Sequence, residues 1–187
     1  MMIVCAGRSE IISYAVPIGV GLIEASMGLM RLCLREYVEK LVFVGSAGAY
    51  CYEIPLLSLC VSTRAAQIES SFIFRSSYTP LDNYIESNVS QETLQAKARC
   101  LRDVIVNSSN YITMDSRICA AMCGVGIMVE NMEFFSLLRV AQDFNIPAYG
   151  VFCITNYCDT NAQKDFIANH TVAKQKLEAF IQQGNIL

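Results

Sequence analysis

The sequence predicts an α/β fold: a single domain built on a twisted, mixed and mostly parallel sheet flanked by helices. Short strand-like apolar runs alternate with amphipathic helical patterns, which is typical of α/β domains with parallel sheets. A length of 187 residues suits one domain with a sizeable core. Because no internal repeat and no Pro/Gly/Ser-rich linker divides the chain, we expect residues 1–187 to form one unit.

The composition excludes several classes of function. A net charge of −3 offers no basic surface for nucleic acid, and no apolar run reaches the roughly 18 to 20 residues of a membrane helix. The nine cysteines are odd in number and lack Cys-x-x-Cys spacing, which argues against a disulfide framework and a zinc site. A single histidine excludes a multi-histidine metal centre. We expect a cytoplasmic protein with reduced cysteines, no membrane contact and no metal or other resident cofactor.

Two strands and a helix are expected first. The strands are Met2 to Ala6 and Tyr14 to Val20, and the helix runs from about Leu22 to Tyr37. Gly19 and Gly21 form a Gly-x-Gly before the helix, which can bind phosphate through free N–H groups. Two glycines do not make a full dinucleotide fingerprint, so tight packing of the helix on the sheet is the favoured role.

The middle of the chain continues the alternation. Leu41 to Ala49 is predicted as a strand leading into a Gly-Ser-Ala-Gly turn. There Gly45 permits close approach of a ligand, and the Ser46 hydroxyl can bind an anion or a water. The remaining elements are strands at Leu56–Thr63 and Phe72–Phe74, a loop or flap over Ser76–Ser90, a helix from about Gln91 to Leu101 capped by Ser90, a strand at Asp103–Val106 and a polar turn from Asn107 to Ile112.

A polar junction with two carboxylates, Glu130 and Glu133, separates an apolar run from an amphipathic one. The run Val125–Val129 predicts a strand, and the pattern from Met132 predicts a helix. Such junctions lie at the carboxyl edge of a sheet, where open α/β folds place their ligand sites. The structural alternative is that Asn131 caps the helix and Glu133 complements its dipole.

The chain closes with a strand and a long helix. The strand Ala148–Ile154 ends in Thr155-Asn156-Tyr157, and the helix runs from about Ala162 to Gln183, with Gly184 as its stop. His170 lies on the apolar stripe of this helix, where a hydrogen-bonded structural histidine is the ordinary case.

Three motifs occur in this order along the chain: Val44-Gly-Ser-Ala-Gly-Ala49, Val129-Glu-Asn-Met-Glu133 and Ile154-Thr-Asn-Tyr157. Together they resemble the nucleoside phosphorylase/nucleosidase superfamily, in particular methylthioadenosine/S-adenosylhomocysteine nucleosidases and small purine nucleoside phosphorylases. The segment from Val16 to Ala25 is similar to that family's Gly-x-Gly helix start. The chain is shorter than is usual for the family, and the difference is expected between Glu10 and Tyr14.

The resemblance implies cleavage of the N-ribosidic bond of a purine nucleoside, through an oxocarbenium-like sugar. It assigns the ribose hydroxyls to Met132 and Glu133, and the phosphate or the nucleophilic water to Ser46. Glu10 stands where nucleosidases carry a water-activating glutamate. The segment around His170 is similar to one in trimeric purine phosphorylases whose histidine meets the 5′ region of the ribose.

The base side of the site is implied by the same resemblance. Tyr111 matches the aromatic residue that stacks on the base, and Ile112 offers backbone contacts. Asn156 stands where the family has a catalytic aspartate and faces the purine N7 and six-position. An amide donates a hydrogen bond but no carboxylic proton, and 6-oxopurine phosphorylases use asparagine here, so an inosine- or guanosine-like substrate is one expectation.

One departure bears on the nucleophile. Phosphorylases commonly carry an arginine three residues before the serine, and this chain has Phe43 there. Phosphate as a co-substrate would then need Arg8 or Arg64. The departure favours hydrolysis, although phosphorolysis stays open. A third alternative is a divergent protein that binds a nucleoside without turning it over. A homo-oligomer is also expected, since family members are dimers, trimers or hexamers.

Overall fold

Eight strands form one sheet in the structure, a computed structural model that describes residues 1–89, 94 and 96–184. Most neighbouring strands pair in parallel, which confirms the predicted mixed, mostly parallel α/β sheet. The strands are β1 Met2–Cys5, β2 Val16–Pro17, β3 Leu41–Ala49, β4 Leu59–Ala66, β5 Tyr84–Glu86, β6 Arg102–Asn107, β7 Ile127–Glu130 and β8 Ala148–Tyr157.

Helices flank this sheet, and a short 3₁₀ turn at Arg8–Glu10 follows β1. The last helix ends where Gly184 takes a left-handed φ of 69°, as expected for a stop glycine. The helices are α1 Gly21–Arg35, α2 Ser70–Ile73, α3 Ala96–Arg99, α4 Ser116–Gly124, α5 Phe134–Asp143 and α6 Ala162–Gln182.

Five strands close into a ring, which sets the shape of the molecule. β8 lies between β3, its parallel neighbour, and β4, its antiparallel neighbour. On the other side β4 pairs with β6, β6 with β7, and β7 returns to β3 where Gly48 faces Glu130. The carboxyl ends of β3, β7 and β8 therefore meet at one place.

An aromatic cluster fills the space between the sheet and α5. Phe43 on β3 and Phe152 on β8 lie 5.7 Å apart between ring centroids, and Phe134 from α5 packs edge-on against Phe152 at 5.1 Å. All three side chains are fully buried. Such T-shaped and tilted pairs contribute about 0.5–1.5 kcal/mol each beyond their buried area.

Close packing of α1 explains one of its small residues. A Cβ on Gly28 would lie 1.9 Å from the carbonyl oxygen of Ile18. A larger residue at position 28 would push the helix away from the segment that follows β2. Gly28 therefore allows α1 to pack closely against the segment that follows β2.

Several sequence predictions need correction. β3 runs through the expected Gly-Ser-Ala-Gly turn without leaving the sheet, because β8 pairs with it along its whole length, with only a bulge between Ala47 and Gly48. β8 likewise continues to Tyr157. The expected strand at Phe72–Phe74 is instead the end of α2. The expected strand from Tyr14 to Val20 is reduced to β2, since Tyr14 takes a left-handed φ of 71° in a tight connection.

Two further elements differ from expectation. α4 was not predicted; Asp115 caps it by accepting a hydrogen bond from the Arg117 N–H at 2.8 Å. The expected cap at Ser90 and the first part of the helix from Gln91 lie outside the described residues, which include only α3 in that region. None of the helices in the described ranges is long and apolar enough to cross a membrane, and all nine cysteines are unbridged.

Candidate active site

A cavity of about 210 Å³ opens where the carboxyl ends of β3, β7 and β8 meet. Seven residues that the sequence singled out line it together: Glu10, Ser46, Tyr111, Ile112, Met132, Glu133 and Asn156. The other lining residues are Ala47, Gly48, Ser109, Glu130, Asn131, Thr155, Ala162, Gln163 and Phe166.

Glu133 is the most deeply buried carboxylate at this cavity, with 1% of its surface exposed. Its Oε1 accepts a hydrogen bond from the Gly21 N–H at 2.9 Å. Burial, the largest cause, and the negative charge of Glu10 raise the pKa of Glu133 to about 7, while the Gly21 hydrogen bond opposes that shift. Glu133 therefore changes its charge near neutral pH.

The first N–H groups of α1 are bound by the protein's own side chains. The Val20 N–H donates to Glu24, the Gly21 N–H to Glu133 and the Leu22 N–H to Asn110, at 2.9 to 3.0 Å. These are the groups with which a Gly-x-Gly helix start binds phosphate. The helix start positions a carboxylate here in place of an anionic ligand.

Glu10 reaches the cavity from the 3₁₀ turn. The Ser46 hydroxyl donates a short hydrogen bond to Glu10 Oε1. Ser46 lies on β3, just before the bulge between Ala47 and Gly48, and lines the cavity. Glu10 and Ser46 thus form a hydrogen-bonded pair that links the turn after β1 to β3.

Asn131 links two of the motifs. Its Oδ1 accepts hydrogen bonds from the N–H groups of Glu133 and Phe134 at 2.9 and 3.0 Å. Asn131 thus binds the start of α5, although the N-cap position itself is Glu133 and not Asn131 as predicted. Its Nδ2 donates to the carbonyl oxygen of Ser46 at 3.0 Å. One side chain therefore fixes the helix start and the serine strand relative to each other.

Glu130 anchors the loop that follows β6. Its Oε2 accepts from the Tyr50 hydroxyl and its Oε1 from the Thr113 N–H, both at 2.9 Å. Thr113 follows Tyr111 and Ile112, whose side chains are 77% and 52% exposed at the mouth of the cavity. Glu130 acts on the cavity through this loop, whereas Glu133 faces the cavity from the helix start.

Asn156 sits at the end of β8 in a fixed orientation. Its Oδ1 accepts from the Thr155 hydroxyl at 2.9 Å, and its Nδ2 donates to the Tyr157 carbonyl oxygen at 3.1 Å, which leaves one amide N–H. Gly48 makes room for it, because a Cβ there would lie 2.9 Å from Asn156 Nδ2. Asn169 of α6 supports the strand end by donating to the Thr155 carbonyl oxygen at 2.8 Å.

Four predicted site residues do not line this cavity. Gly45 lies in β3, where a Cβ would meet the Phe43 ring at 2.7 Å. Gly19 has a φ of 117° and packs against Glu24. Arg64 forms an ion pair with Asp103 at 2.5 Å. His170 is partly buried on α6 and borders a smaller cavity behind Glu10 and Ser46, not the one expected to hold the ribose.

The charged side chains described at the cavity are all acidic. Its described lining residues include three carboxylates and no lysine or arginine. Phe43, which stands where the sequence resemblance leads one to expect an arginine in a phosphorylase, is fully buried in the aromatic cluster. Arg8 is exposed and pairs with Glu24 at 3.0 Å. No group of three or more metal-ligating side chains occurs in the part of the chain that the structure describes.

This arrangement allows two kinds of chemistry. Glu10, held by a serine hydroxyl, can accept a proton from a water molecule in the cavity. Glu133, once ionised, can hydrogen-bond to hydroxyl groups and stabilise positive charge that develops on a bound molecule. The two carboxylates are close enough that the charge of one raises the pKa of the other.

A family model described as "Phosphorylase superfamily" matches residues 2–183. None of the curated proteins compared with the sequence matches it significantly.

Solved structures match the fold at low sequence identity. A mutant of a Helicobacter pylori 5′-methylthioadenosine/S-adenosylhomocysteine nucleosidase, with 5′-methylthioadenosine in its active site, is 18% identical and has a TM-score of 0.81 over 97% of this chain and 95% of that one. Futalosine hydrolase of the same organism is 17% identical, with a TM-score of 0.79 over 96% and 94%. A Streptococcus pneumoniae nucleosidase in complex with 8-aminoadenine is 14% identical, with a TM-score of 0.79 over 100% of both chains.

Proposed function

The chain belongs to the phosphorylase superfamily, and we propose that it hydrolyses the N-ribosidic bond of a purine nucleoside to release the free base. The observation that carries the proposal is the cavity in which Glu10, bonded to Ser46, lies near the buried carboxylate of Glu133. The solved structures of similar fold include enzymes named for methylthioadenosine, which supports a nucleoside as the ligand.

Glu133 acts on the sugar. Its carboxylate, ionised, accepts hydrogen bonds from the ribose hydroxyls beside Met132, and its charge stabilises the oxocarbenium-like sugar as the bond to the base breaks. The carboxylate is held by the Gly21 N–H, and the backbone of Glu133 is held by Asn131, before the substrate arrives. Little reorganisation is then needed at the moment of reaction.

Glu10 and Ser46 act on the nucleophile. Glu10 accepts a proton from the attacking water, and the Ser46 hydroxyl holds one carboxylate oxygen so that the other is directed to that water. The base leaves with the bonding electrons, and the remaining amide N–H of Asn156 donates to it at N7 or at a six-oxo group. Tyr111 stacks on the base, and the backbone of Ile112 contacts its edge.

Hydrolysis fits the charges better than phosphorolysis does. A phosphate dianion requires cationic partners, and the described lining residues supply carboxylates alone as charged groups. Arg8 and Arg64 are engaged with Glu24 and Asp103. The N–H groups at the start of α1 are occupied as well. Water, which is neutral, enters such a cavity without this electrostatic cost.

The alternative is a divergent member that binds a nucleoside without turning it over. It is favoured by one observation: the amide of Asn156 cannot transfer a proton to the base, and most of its hydrogen-bonding groups are already bonded to Thr155 and Tyr157. A leaving purine would then receive a single hydrogen bond at this position.

The test is incubation of inosine, adenosine and 5′-methylthioadenosine with and without inorganic phosphate, with detection of free base and sugar. We expect release of base and free sugar at the same rate in both conditions, and loss of that release in Glu133→Ala, whose circular dichroism should match the wild type. The matched control is Glu36→Ala at an exposed carboxylate after α1. Release that depends on phosphate would overturn hydrolysis, and binding without release would support the alternative.

We also propose that the protein is a homo-oligomer that associates through α1. Ile23, Met27, Met30 and Leu34 are all at least 43% exposed and recur at spacings of four, three and four residues. This spacing places the four side chains in one apolar stripe along α1. The same stripe on a second copy of the chain would cover it in a symmetric contact.

A further inference from the structure

A second, smaller space borders Glu10 and Ser46, the two residues that it shares with the main cavity. Its volume is about 10 Å³, and its polar borders are Glu10, Ser46, His170 and Lys174. A space of about 10 Å³ holds one water molecule, provided that two to four polar groups surround it. This space meets both conditions.

His170, which borders this space, carries an unpaired nitrogen. Its Nε2 is buried, and no group among the described residues forms a hydrogen bond with it. The imidazole is held against the Phe166 ring, with 4.9 Å between the ring centroids, so the nitrogen cannot turn freely to another partner. A buried polar atom without a partner costs about 1–3 kcal/mol, and buried water is the usual remedy.

Glu10 faces both cavities. One carboxylate oxygen accepts the Ser46 hydroxyl, and a carboxylate has about four acceptor positions in all. Glu10 can therefore accept a second hydrogen bond from behind while it keeps its bond to Ser46. Lys174, four residues after His170 on the same helix, adds a cation at the edge of this space.

We propose that His170 is a positioning residue for Glu10, acting through one water molecule enclosed between its Nε2 and the Glu10 carboxylate. The inference rests on the proposed function, because it gives Glu10 the task of accepting a proton. The water donates to Glu10 and bonds to Nε2, so Ser46 and the water fix the carboxylate from two sides. The sequence resemblance implied that His170 contacts the 5′ region of the ribose. Our proposal instead gives His170 the task of positioning Glu10, the proton acceptor.

Kinetics separate this role from a purely structural one. In His170→Phe we expect kcat to fall about 10-fold, as for the loss of about one net hydrogen bond, with KM unchanged. His170→Gln, whose amide can still bond to the water, should recover part of kcat. Because phenylalanine fills the same place without a buried polar atom, the Tm of His170→Phe should equal or exceed that of the wild type. An unchanged kcat in this folded variant would overturn the proposal.

A second measurement does not depend on activity. A high-resolution crystal structure should contain one water within about 3.2 Å of both His170 Nε2 and a Glu10 oxygen. Because His170 is the only histidine, its imidazole nitrogen resonances are unambiguous; Glu10→Gln should shift them at fixed pH, and the exposed control Glu36→Gln should not. Absence of the water or of the shift would overturn the proposal. A wild type that shows both but cleaves no nucleoside would instead refute only the proposed function.

Discussion

Glu133 and Gly21 are joined by a hydrogen bond of 2.9 Å from the first N–H of α1 to the carboxylate. The two residues lie far apart in the sequence, and the bond connects the start of α1 to the junction of β7 and α5. A helix start attracts negative charge. The protein uses that attraction to keep a carboxylate at a buried position next to the cavity.

Stability should depend on the charge of Glu133. Its pKa of about 7 in the folded protein exceeds its ordinary value of 4.5, so the folded state holds the proton more tightly than the unfolded state. The resulting stabilisation is complete below about pH 4.5 and is lost as the pH rises through about 7, by roughly 3 kcal/mol in all. Glu133→Gln keeps an acceptor for Gly21 and should remove this dependence. The free energy of unfolding in urea, measured for both proteins near pH 5 and near pH 8, tests this prediction. The same pH dependence in the wild type and in Glu133→Gln would contradict it.

Activity should respond to pH in the opposite direction. The ionised form of Glu133 is the one that stabilises positive charge on the sugar, so kcat/KM should rise with pH through about 7, the pKa of that group. Asn156 does not titrate, and the site should therefore show no falling limb from a general acid at this position. The measurement is kcat/KM for the best nucleoside across the neutral range. A rate that falls through pH 7 would contradict the assignment of Glu133.

Gly48→Ala should damage the site by displacing its neighbours on β8. The new Cβ would lie 2.9 Å from Asn156 Nδ2 and 3.0 Å from Cys158 Sγ. We expect a loss of about 1–3 kcal/mol in the free energy of unfolding and a fall in kcat/KM. Gly124→Ala is the matched control, since its Cβ meets nothing within 4 Å at the end of α4. That control should keep full activity and gain up to about 1 kcal/mol.

Tyr111→Ala should weaken binding and leave the fold intact. Its ring is 77% exposed at the mouth of the cavity, so its removal costs little packing. Stacking on a base contributes about 1–3 kcal/mol, which corresponds to an increase of about 5- to 150-fold in the Kd for the nucleoside. Titration calorimetry with the free base or nucleoside measures this. Tyr37→Ala, at a 91% exposed tyrosine after α1, is the control, and an equal loss in both would indicate no stacking role.

Disruption of the α1 stripe should dissociate the oligomer. The variant that combines Ile23→Glu with Leu34→Glu places charges at two of its exposed apolar positions, where they would be buried in the contact at high cost. Light scattering after size exclusion should give a monomer mass for this variant and a larger mass for the wild type. Val125→Glu, at an apolar residue 64% exposed off this helix, should keep the wild-type mass. A monomeric wild type would rule out the oligomer.

The sequence placed the main parts of the cavity because each lies where an apolar run ends in polar residues. That rule located Ser46, Glu133 and Asn156 without knowledge of how the strands pair. It failed where tertiary contacts override local preference. The glycines at 45 and 48 suggested a turn, but the pairing of β3 with β8 keeps them extended. No local signal shows such pairing.

His170 illustrates another limit. The helical period correctly placed it on the inner face of α6. The period of a helix does not show, however, which residues of other elements lie against that face. Its position behind Glu10 follows from how α6 lies across β3, which is set by contacts more than a hundred residues apart in sequence. Asn131 is predicted from the sequence as a helix cap. Its hydrogen bond to the Ser46 carbonyl oxygen can be recognised only once the strands are known to close into a ring.

The position of β8 in the ring has a consequence for how the chain folds. β8 follows the other described strands in the chain, yet it lies between β3 and β4, and it pairs Leu41 with Ala148. Contacts across such long sequence separations form slowly, because a long loop must close before they can stabilise the protein. Until β8 arrives, β3 and β4 expose unpaired edges that can aggregate. A nascent chain that already carries Glu10, Ser46 and Glu133 therefore has no cavity until β8 has been synthesised and has paired with both strands.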